Sequence, residues 1–423
     1  MIANPQNWAG HITFSTSRVH LPETIEQLQE IVSRSDKVKV IGSRHSFNNI
    51  ADSTGDLISL ENLDSMLVFD RERRTVTVNA GITYGQLCNQ LHDAGYAIQN
   101  MASLPHITVA GAISTATHGS GDTNGNLATS VAALELVKAN GDVVVLSRDQ
   151  HGEEFEGAVV GLGGVGVVTK VTLDLVPAFT MQQEVYEDLP LAQLEENFDK
   201  ITSSAYSVSF FTDWQKERVN QVWLKRQLTD NTALAVAPKF FEATIAPTHR
   251  HPVVTLSAIP CTDQMGILGP WHERLPHFRI DHTPASGDEL QTEYFVPRQH
   301  AVAAMRAVAQ YREQMEPLLW ITEVRTVAAD SLWMSPSYQQ ATVGIHFSWR
   351  KNWSAVEQLL PTLERELAHF QARPHWGKLF TMSPAQVQSL YPRLSDFQDL
   401  LRTYDPTGKF RNAYLDTYIF GTA

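Results

Sequence analysis

Charged side chains at two-residue spacing, inside stretches that should be apolar, are the first sign of chemistry in this 423-residue sequence. The run Ile321-Thr322-Glu323-Val324-Arg325-Thr326-Val327 reads as strand, and side chains two apart on a strand point the same way, so Glu323 and Arg325 project together. Ala341 to Trp349 does the same with His346 and Ser348, and Leu290 to Phe295 with Gln291. A site that takes a proton from a hydroxyl needs an acceptor, and it needs cations that favour negative charge on the oxygen left behind. An outward face on a half-solvated sheet would account for any one of these residues alone, but accounts less well for the set.

Two loops make a second group. Lys37 to Ile41 alternates Lys and Val and then meets Gly42, which predicts a short strand ending in the polar turn Gly42-Ser43-Arg44-His45-Ser46, with His45 presented by it. Residues 103–121, SLPHITVAGAISTATHGSG, are almost wholly small or hydroxylated. Together the loops can pool backbone N–H groups around a diphosphate without a helix N-terminus. Gly161 to Gly166 matches the letters GxGxxG, but the β-type run Val167 to Leu175 follows where a dinucleotide fingerprint requires a helix, so a nicotinamide site is set aside. No GxSxG elbow occurs, and the pairs His249/His251 and His272/His277 lack HExxH spacing, so neither a serine hydrolase nor a metal centre is expected.

Taken in order, GSRHSF, SLPHITVAGAISTATHGSG, GLGGVGVVTKVTLDLVP and DPTGKF resemble the FAD domain of the vanillyl-alcohol oxidase superfamily. Within it the chain is most similar to the alditol oxidases, and more distantly to the aldonolactone oxidases, over nearly its whole length. The resemblance implies FAD bonded covalently, through its 8α carbon, to a ring nitrogen of His45. It implies a flavin site completed by Ile41, Gly42, Ser43, Arg44, Ser46, Phe47, Ser103, Thr108, Gly111, Thr115, Ala116, Thr117, His118, Val168 and His375, with Ala102 as the small residue that admits dioxygen. The polyol would meet Glu323, Arg325, His346 and Lys378, with Ser103 and Gln291 beside them and Ser348 where the family is expected to carry threonine. His346 is then the expected base, oriented by Glu323, while Arg325 and Lys378 hold the substrate oxygens. The implied reaction oxidises the terminal primary alcohol of a polyol of xylitol or sorbitol type to the aldehyde and reduces O2 to H2O2. An aldonolactone oxidase or dehydrogenase would share the flavin motifs, and a non-catalytic flavin- or carbohydrate-binding protein would share the fold.

The elements that must position these residues fit an α+β protein: a two-part FAD-binding domain and an α+β substrate domain built on an antiparallel sheet. The length exceeds one ordinary core, and 43% hydrophobic with 19% charged residues is a globular composition. Boundaries are expected at residues 1–178 for the FAD domain, 179–378 for the substrate domain and 379–423 for a segment returning to the FAD domain. Val131 to Val137 and Val143 to Leu146 flank Asn140-Gly141, a two-residue hairpin pattern. Further strands are predicted at Ser207 to Thr212, Gln221 to Leu224, Leu290 to Phe295, Leu319 to Val327 and Ala341 to Trp349. Helices are predicted at Leu189 to Ser203, Pro297 to Gln314 and Ser354 to Phe370. The net charge of -13 argues against nucleic acid or an anionic membrane as partner, and Cys88 and Cys261 lack the spacing of a thiolate metal site. No leader pattern and no span of about 18 apolar residues is read, so a monomer in the cytoplasm acting on a small molecule is expected.

Overall fold

The computed structural model describes residues 5–64, 66–229, 232–282 and 287–422. The protein is α+β, with helices packed on antiparallel sheets. In the N-terminal part, Val38–Ile41 lies parallel to Asp56–Ser59, which lies parallel to Val19–His20. A separate five-stranded antiparallel sheet follows, with Val167–Asp174 between Thr75–Asn79 and Val131–Val137. Val167–Asp174 alternates buried and half-buried residues along its length, so the chain after Gly161 to Gly166 is an antiparallel strand and not a helix. The helix Tyr84–Asp93 starts at a capping box in which Thr83 and Gln86 satisfy each other's backbone N–H groups, and it buries Tyr84, Leu87 and Leu91. The Val131–Val137/Val143–Ser147 hairpin forms with a longer loop than two residues. Lys138 N–H donates to Asp142 O and Gly141 N–H to Lys138 O, both at 2.9 Å.

The second large element is a ten-stranded antiparallel sheet. Its consecutive strands Thr180–Pro190, Arg218–Leu228, Ser207–Thr212, Leu319–Val327, Thr342–Arg350 and Glu289–Pro297 include every strand expected beyond residue 180. Thr180–Pro190 had not been expected, because Gln182, Gln183 and Glu184 interrupt its apolar pattern; all three are buried and hydrogen-bonded. The predicted Leu189–Ser203 helix begins instead at Leu191, since Leu189 and Pro190 still pair in the sheet. The predicted Pro297–Gln314 helix is broken into a 3-10 turn at Arg298–His300, a helix Ala301–Ala309 and a further turn Arg312–Met315.

Alternation along the strands separates the two faces of this sheet. Tyr294 donates its hydroxyl to Glu364 of the helix Trp353–Ala368 at 2.7 Å, which fixes one face as the helix-covered one. Gln291, Glu293, Glu323, Arg325, His346 and Ser348 therefore belong to the other face, which closes against the loops of the N-terminal part. At the C-terminus, the Asp405 carboxylate accepts from the N–H groups of Lys409 and Phe410, both at 2.7 Å. Val38 N–H donates to Lys409 O at 3.0 Å, which ties DPTGKF to the strand leading into Gly42. Ala423, the last residue of that segment, lies outside the described residues. Among those described, no helix is long and apolar enough to cross a membrane.

Candidate active site

A cavity of about 1000 Å3 lies between the N-terminal loops and the free face of the large sheet. The first loop leaves the Val38–Ile41 strand at Gly42, where a Cβ would stand 2.2 Å from Thr108 Oγ1; a side chain there would push the first loop off the second. Arg44 then takes a left-handed conformation, φ 58°, and His45 follows, half-buried in the cavity wall. The Trp8 indole lies against the His45 ring at 4.4 Å between centroids, and Trp8 N–H donates to Arg44 O at 2.8 Å. Burial, reinforced by Lys378 and His106, pushes the His45 pKa down to about 3, so the imidazole is neutral with a free lone pair at neutral pH.

Ser103, Thr108, Gly111, Thr115, Thr117 and His118 supply the second loop's wall. Gly161, Leu162, Gly163 and Gly166 supply a third, followed by Val168. Gly166 has φ 142°, and a Cβ on it would meet Val137 O at 2.6 Å. Each loop contains one non-glycine residue in left-handed backbone, Arg44, Ala116 and Leu162. Such conformations cost about 1–3 kcal/mol each and persist where the surroundings over-determine them.

The opposite wall is charged, and its centre is Glu293, a residue that sequence reasoning had not singled out. Its Oε1 accepts from Arg325 Nη2 at 2.9 Å and meets His118 Nε2 at 3.0 Å. Its Oε2 accepts from Lys378 Nζ at 2.6 Å and lies 3.7 Å from His346 Nδ1. Burial alone would raise its carboxyl pKa, but Lys378, His118 and Arg325 hold it well below the usual range. Lys378 also donates to His346 Nδ1 at 2.5 Å, and His346 Nε2 lies 3.2 Å from Ser348 Oγ. Burial, then the Lys378 cation, lowers His346 to about 4. Arg325 Nη1 reaches Ser103 Oγ at 3.3 Å, so the charged face touches the second loop directly.

The structure corrects the expected partner of His346. Glu323 stands across from His346 in the strand register, but its Oε1 is taken by His277 Nε2 at 2.7 Å and lies 3.5 Å from Arg325 Nε. Glu293, the cross-strand neighbour of His346 on the other side, is the carboxylate that approaches its ring, because Lys378 is anchored there and bridges the two.

The cavity gathers Ile41, Gly42, Ser43, Arg44, His45, Ser46, Ala102, Gln291, Glu323, Arg325, His346, Ser348, His375 and Lys378 in addition to the second-loop residues and Val168. Phe47 and Ala116 are not part of its wall. Phe47 is buried beneath His45, edge-on at 5.8 Å, and Ala116 is buried within the second loop. Glu289, Gln291 and Glu293 alternate on one strand face, so the spacing that drew attention to Gln291 also applied to Glu293. Trp8 and His277 sit in irregular chain, where no periodicity points to them.

An elongated cofactor with a diphosphate fits the loop side of this cavity. Gly42 and Gly166 stand where side chains would displace neighbouring loops, and the neutral His45 ring opens to the same space as the charged wall. Comparison with known proteins agrees. Residues 16–147 match the FAD binding domain family model, and residues 288–418 match that of D-arabinono-1,4-lactone oxidase. An L-gulonolactone oxidase of Mus musculus is 26% identical, covering 98% of each chain. The structure of a cholesterol oxidase from B. sterolicum superposes with a TM-score of 0.77 at 14% identity, over 99% of this chain and 96% of that one, and so shares the fold. An alditol oxidase of Streptomyces sp. is 47% identical over 418 residues, 98% of this chain and 99% of that protein. The chain belongs to the alditol oxidase family of FAD-dependent oxidases.

Proposed function

We propose that this protein oxidises the terminal primary alcohol of a polyol, of xylitol or sorbitol type, to the aldehyde, with FAD bonded covalently to His45 and O2 reduced to H2O2. The observation that carries the reading is the buried set Glu293, Arg325, Lys378 and His346, which faces the loop presenting His45 across one cavity. FAD held there would supply a two-electron acceptor for the alcohol carbon, with dioxygen as the final acceptor. The neutral His45 imidazole keeps the lone pair that a bond to the flavin requires, and Ala102, the small residue assigned to dioxygen access, lines the same cavity.

Arg325 and Lys378 orient the substrate oxygens and favour negative charge on the reacting one. His346 is the proton acceptor. With Lys378 charged, Nδ1 accepts from the ammonium and the Nε2 proton points to Ser348. A substrate hydroxyl that takes the place of one ammonium N–H there gives its proton to Nδ1 while Lys378, still charged, holds its oxygen, so base-competence belongs to the pair. Ser103, Gln291, Glu323 and Ser348 pair with the remaining hydroxyls, and His375 and His118 belong to the flavin side.

The chain divides into a FAD domain at 1–178, a substrate domain at 179–378 and a returning segment at 379–423, and acts as a cytoplasmic monomer, in keeping with its net charge of -13. Acid precipitation of the purified protein is expected to give a yellow pellet, and anaerobic xylitol or sorbitol is expected to bleach the flavin band. A bare-polypeptide mass from riboflavin-rich expression would defeat the covalent attachment. The match of residues 288–418 to the lactone oxidase model supports a second reading, oxidation of an aldonolactone. Faster bleaching by L-gulono- or D-arabinono-1,4-lactone than by any alditol would favour it.

A further inference from the structure

Behind Glu323 lies a second buried set of polar groups that the proposed reaction does not use. Lys225, on the strand Arg218–Leu228, is 1% exposed, and its ammonium donates to Leu275 O, to Pro276 O at 3.0 Å and to His277 Nδ1 at 3.0 Å. His277 is 4% exposed and walled in by Phe211 and Trp223, edge-on at 5.5 and 5.1 Å. Its Nε2 lies 2.7 Å from Glu323 Oε1. Its backbone N–H donates to Ser103 O at 3.0 Å, and Ser103 Oγ accepts from Arg325. Glu323, His277, Ser103 and Arg325 thus form a closed ring of contacts at the cavity wall, with Lys225 at its back.

We propose that Lys225 and His277 form a positioning pair that fixes His277 as the Nε2–H tautomer and thereby keeps Glu323 an anionic acceptor turned to Arg325 and the cavity. The inference rests on the reading of Glu323 as a substrate-binding group given above. An ammonium has three N–H donors and no lone pair, so His277 Nδ1 accepts and the ring proton sits on Nε2. The opposite tautomer would set an imidazole lone pair against a carboxylate oxygen at 2.7 Å, which is tolerable only with Glu323 protonated. The proton on Lys225 therefore controls the state of Glu323 two hydrogen bonds away.

Glu323 is faced by Arg325 from its own strand, by His346 from the neighbouring strand and by His277 from the irregular segment, with Lys378 further off. Burial, with Arg325 and Arg274 nearby, lowers Lys225 to about 7 while Glu323 and Cys261 oppose the shift, and the three acceptors around Nζ, two carbonyls and His277 Nδ1, are the arrangement of the ammonium form. Burial would raise the Glu323 carboxyl pKa, and Arg325 with His277 holds it below the ordinary range instead. Removing the His277 donor raises it toward that range, so the form with charged Glu323 is lost at a higher pH as pH falls.

The test uses flavin-loaded holoenzyme and the pH profile of kcat/KM for xylitol. His277→Phe is expected to lower kcat/KM about tenfold or more, the scale of one lost hydrogen bond to a charged group, and to move the acid limb to higher pH. His277→Gln accepts from Lys225 and donates to Glu323, and is expected to recover most of the rate and return the limb. Lys225→Met, read if His277→Phe fails to retain flavin, is expected to move the limb the same way. A loaded His277→Phe or Lys225→Met enzyme with the wild-type limb overturns the proposal, as does His277→Gln no better than His277→Phe. Glu323→Gln separates the two readings. If it leaves rate and profile unchanged, the role of Glu323 itself fails; if it costs rate while His277→Phe does not, only the positioning pair fails.

Discussion

The two walls of the cavity are specified in opposite ways. On the loop side the determining feature is missing side chains: Gly42 and Gly166 stand where a Cβ would strike Thr108 or the Val137 carbonyl, and Arg44, Ala116 and Leu162 hold left-handed backbone that the surroundings impose. On the sheet side the determining feature is charge held out of water, with Glu293 compensating Arg325 and Lys378 together. A loop built from absences is damaged by adding atoms, whereas a buried charge cluster is damaged by removing one partner and stranding the others. Substitutions on the first wall should therefore read out in flavin retention, and those on the second in rate, pH profile and stability.

The most severe break is expected from His346→Ala, with flavin content unchanged and the rate of anaerobic flavin reduction by xylitol down by about 10² to 10⁴, the range of general-base assistance. Loss of flavin in the same variant would show that the walls do not fail independently. Next is Glu293→Gln, which leaves Lys378 without its counter-charge and Arg325 with Glu323 alone. Breaking a buried ion pair from one side costs about 3–5 kcal/mol, to be read as a lowered denaturant midpoint. Gly166→Ala tests the other wall: a Cβ 2.6 Å from Val137 O at φ 142° cannot be relieved by a flexible side chain. Overpacking of this kind costs about 1–3 kcal/mol, and the variant is expected to purify with reduced flavin while the bound fraction turns over normally.

The same contrast explains what was legible in the sequence. Glu323, Arg325, His346, Ser348 and Gln291 were found because strand geometry turns two-residue spacing into a shared face, and each occupies the face inferred for it. The loops were found because glycine and small residues cluster where backbone approaches something closely. What was not legible came from tertiary contact alone. Trp8 reaches His45 from 37 positions away in an irregular segment. His277 reaches Glu323 across 46 residues, so the carboxylate opposite His346 in the sheet was assigned to the wrong imidazole. Thr180–Pro190 was overlooked because its buried glutamines are satisfied in the interior, Gln182 by Glu184 and Gln183 by the Asp263 carbonyl, whereas periodicity treats such residues as exposed.

A subtler shift is expected at Lys378. The His346 imidazole, at about 4, is lowered first by burial and then by the Lys378 cation. Lys378→Met removes the cation, so the His346 pKa rises; because the reaction needs the neutral ring, activity is then lost at higher pH as pH falls, and the acid limb of kcat/KM moves up. A limb that stays in place would mean that the base is not governed by this pair.

The smallest effect belongs to Ser348, where the family is expected to carry threonine. Ser348 Oγ lies 3.2 Å from His346 Nε2, in the wall of the cavity beside the proposed base. Ser348→Thr keeps the hydroxyl and adds a methyl, and β-branching in a strand narrows the choice of χ1. One methyl in a pocket discriminates by about 1–3 kcal/mol at most when fully enclosed, and less in a partly polar wall. The expected outcome is a change of several-fold in the ratio of kcat/KM for xylitol over sorbitol, with the pH profile unmoved, because the hydroxyl still meets Nε2. Were the pH profile to move as well, the threonine hydroxyl would have turned away from the imidazole, and Ser348 would belong with His346 and Lys378 in setting the base rather than with the wall that measures the substrate.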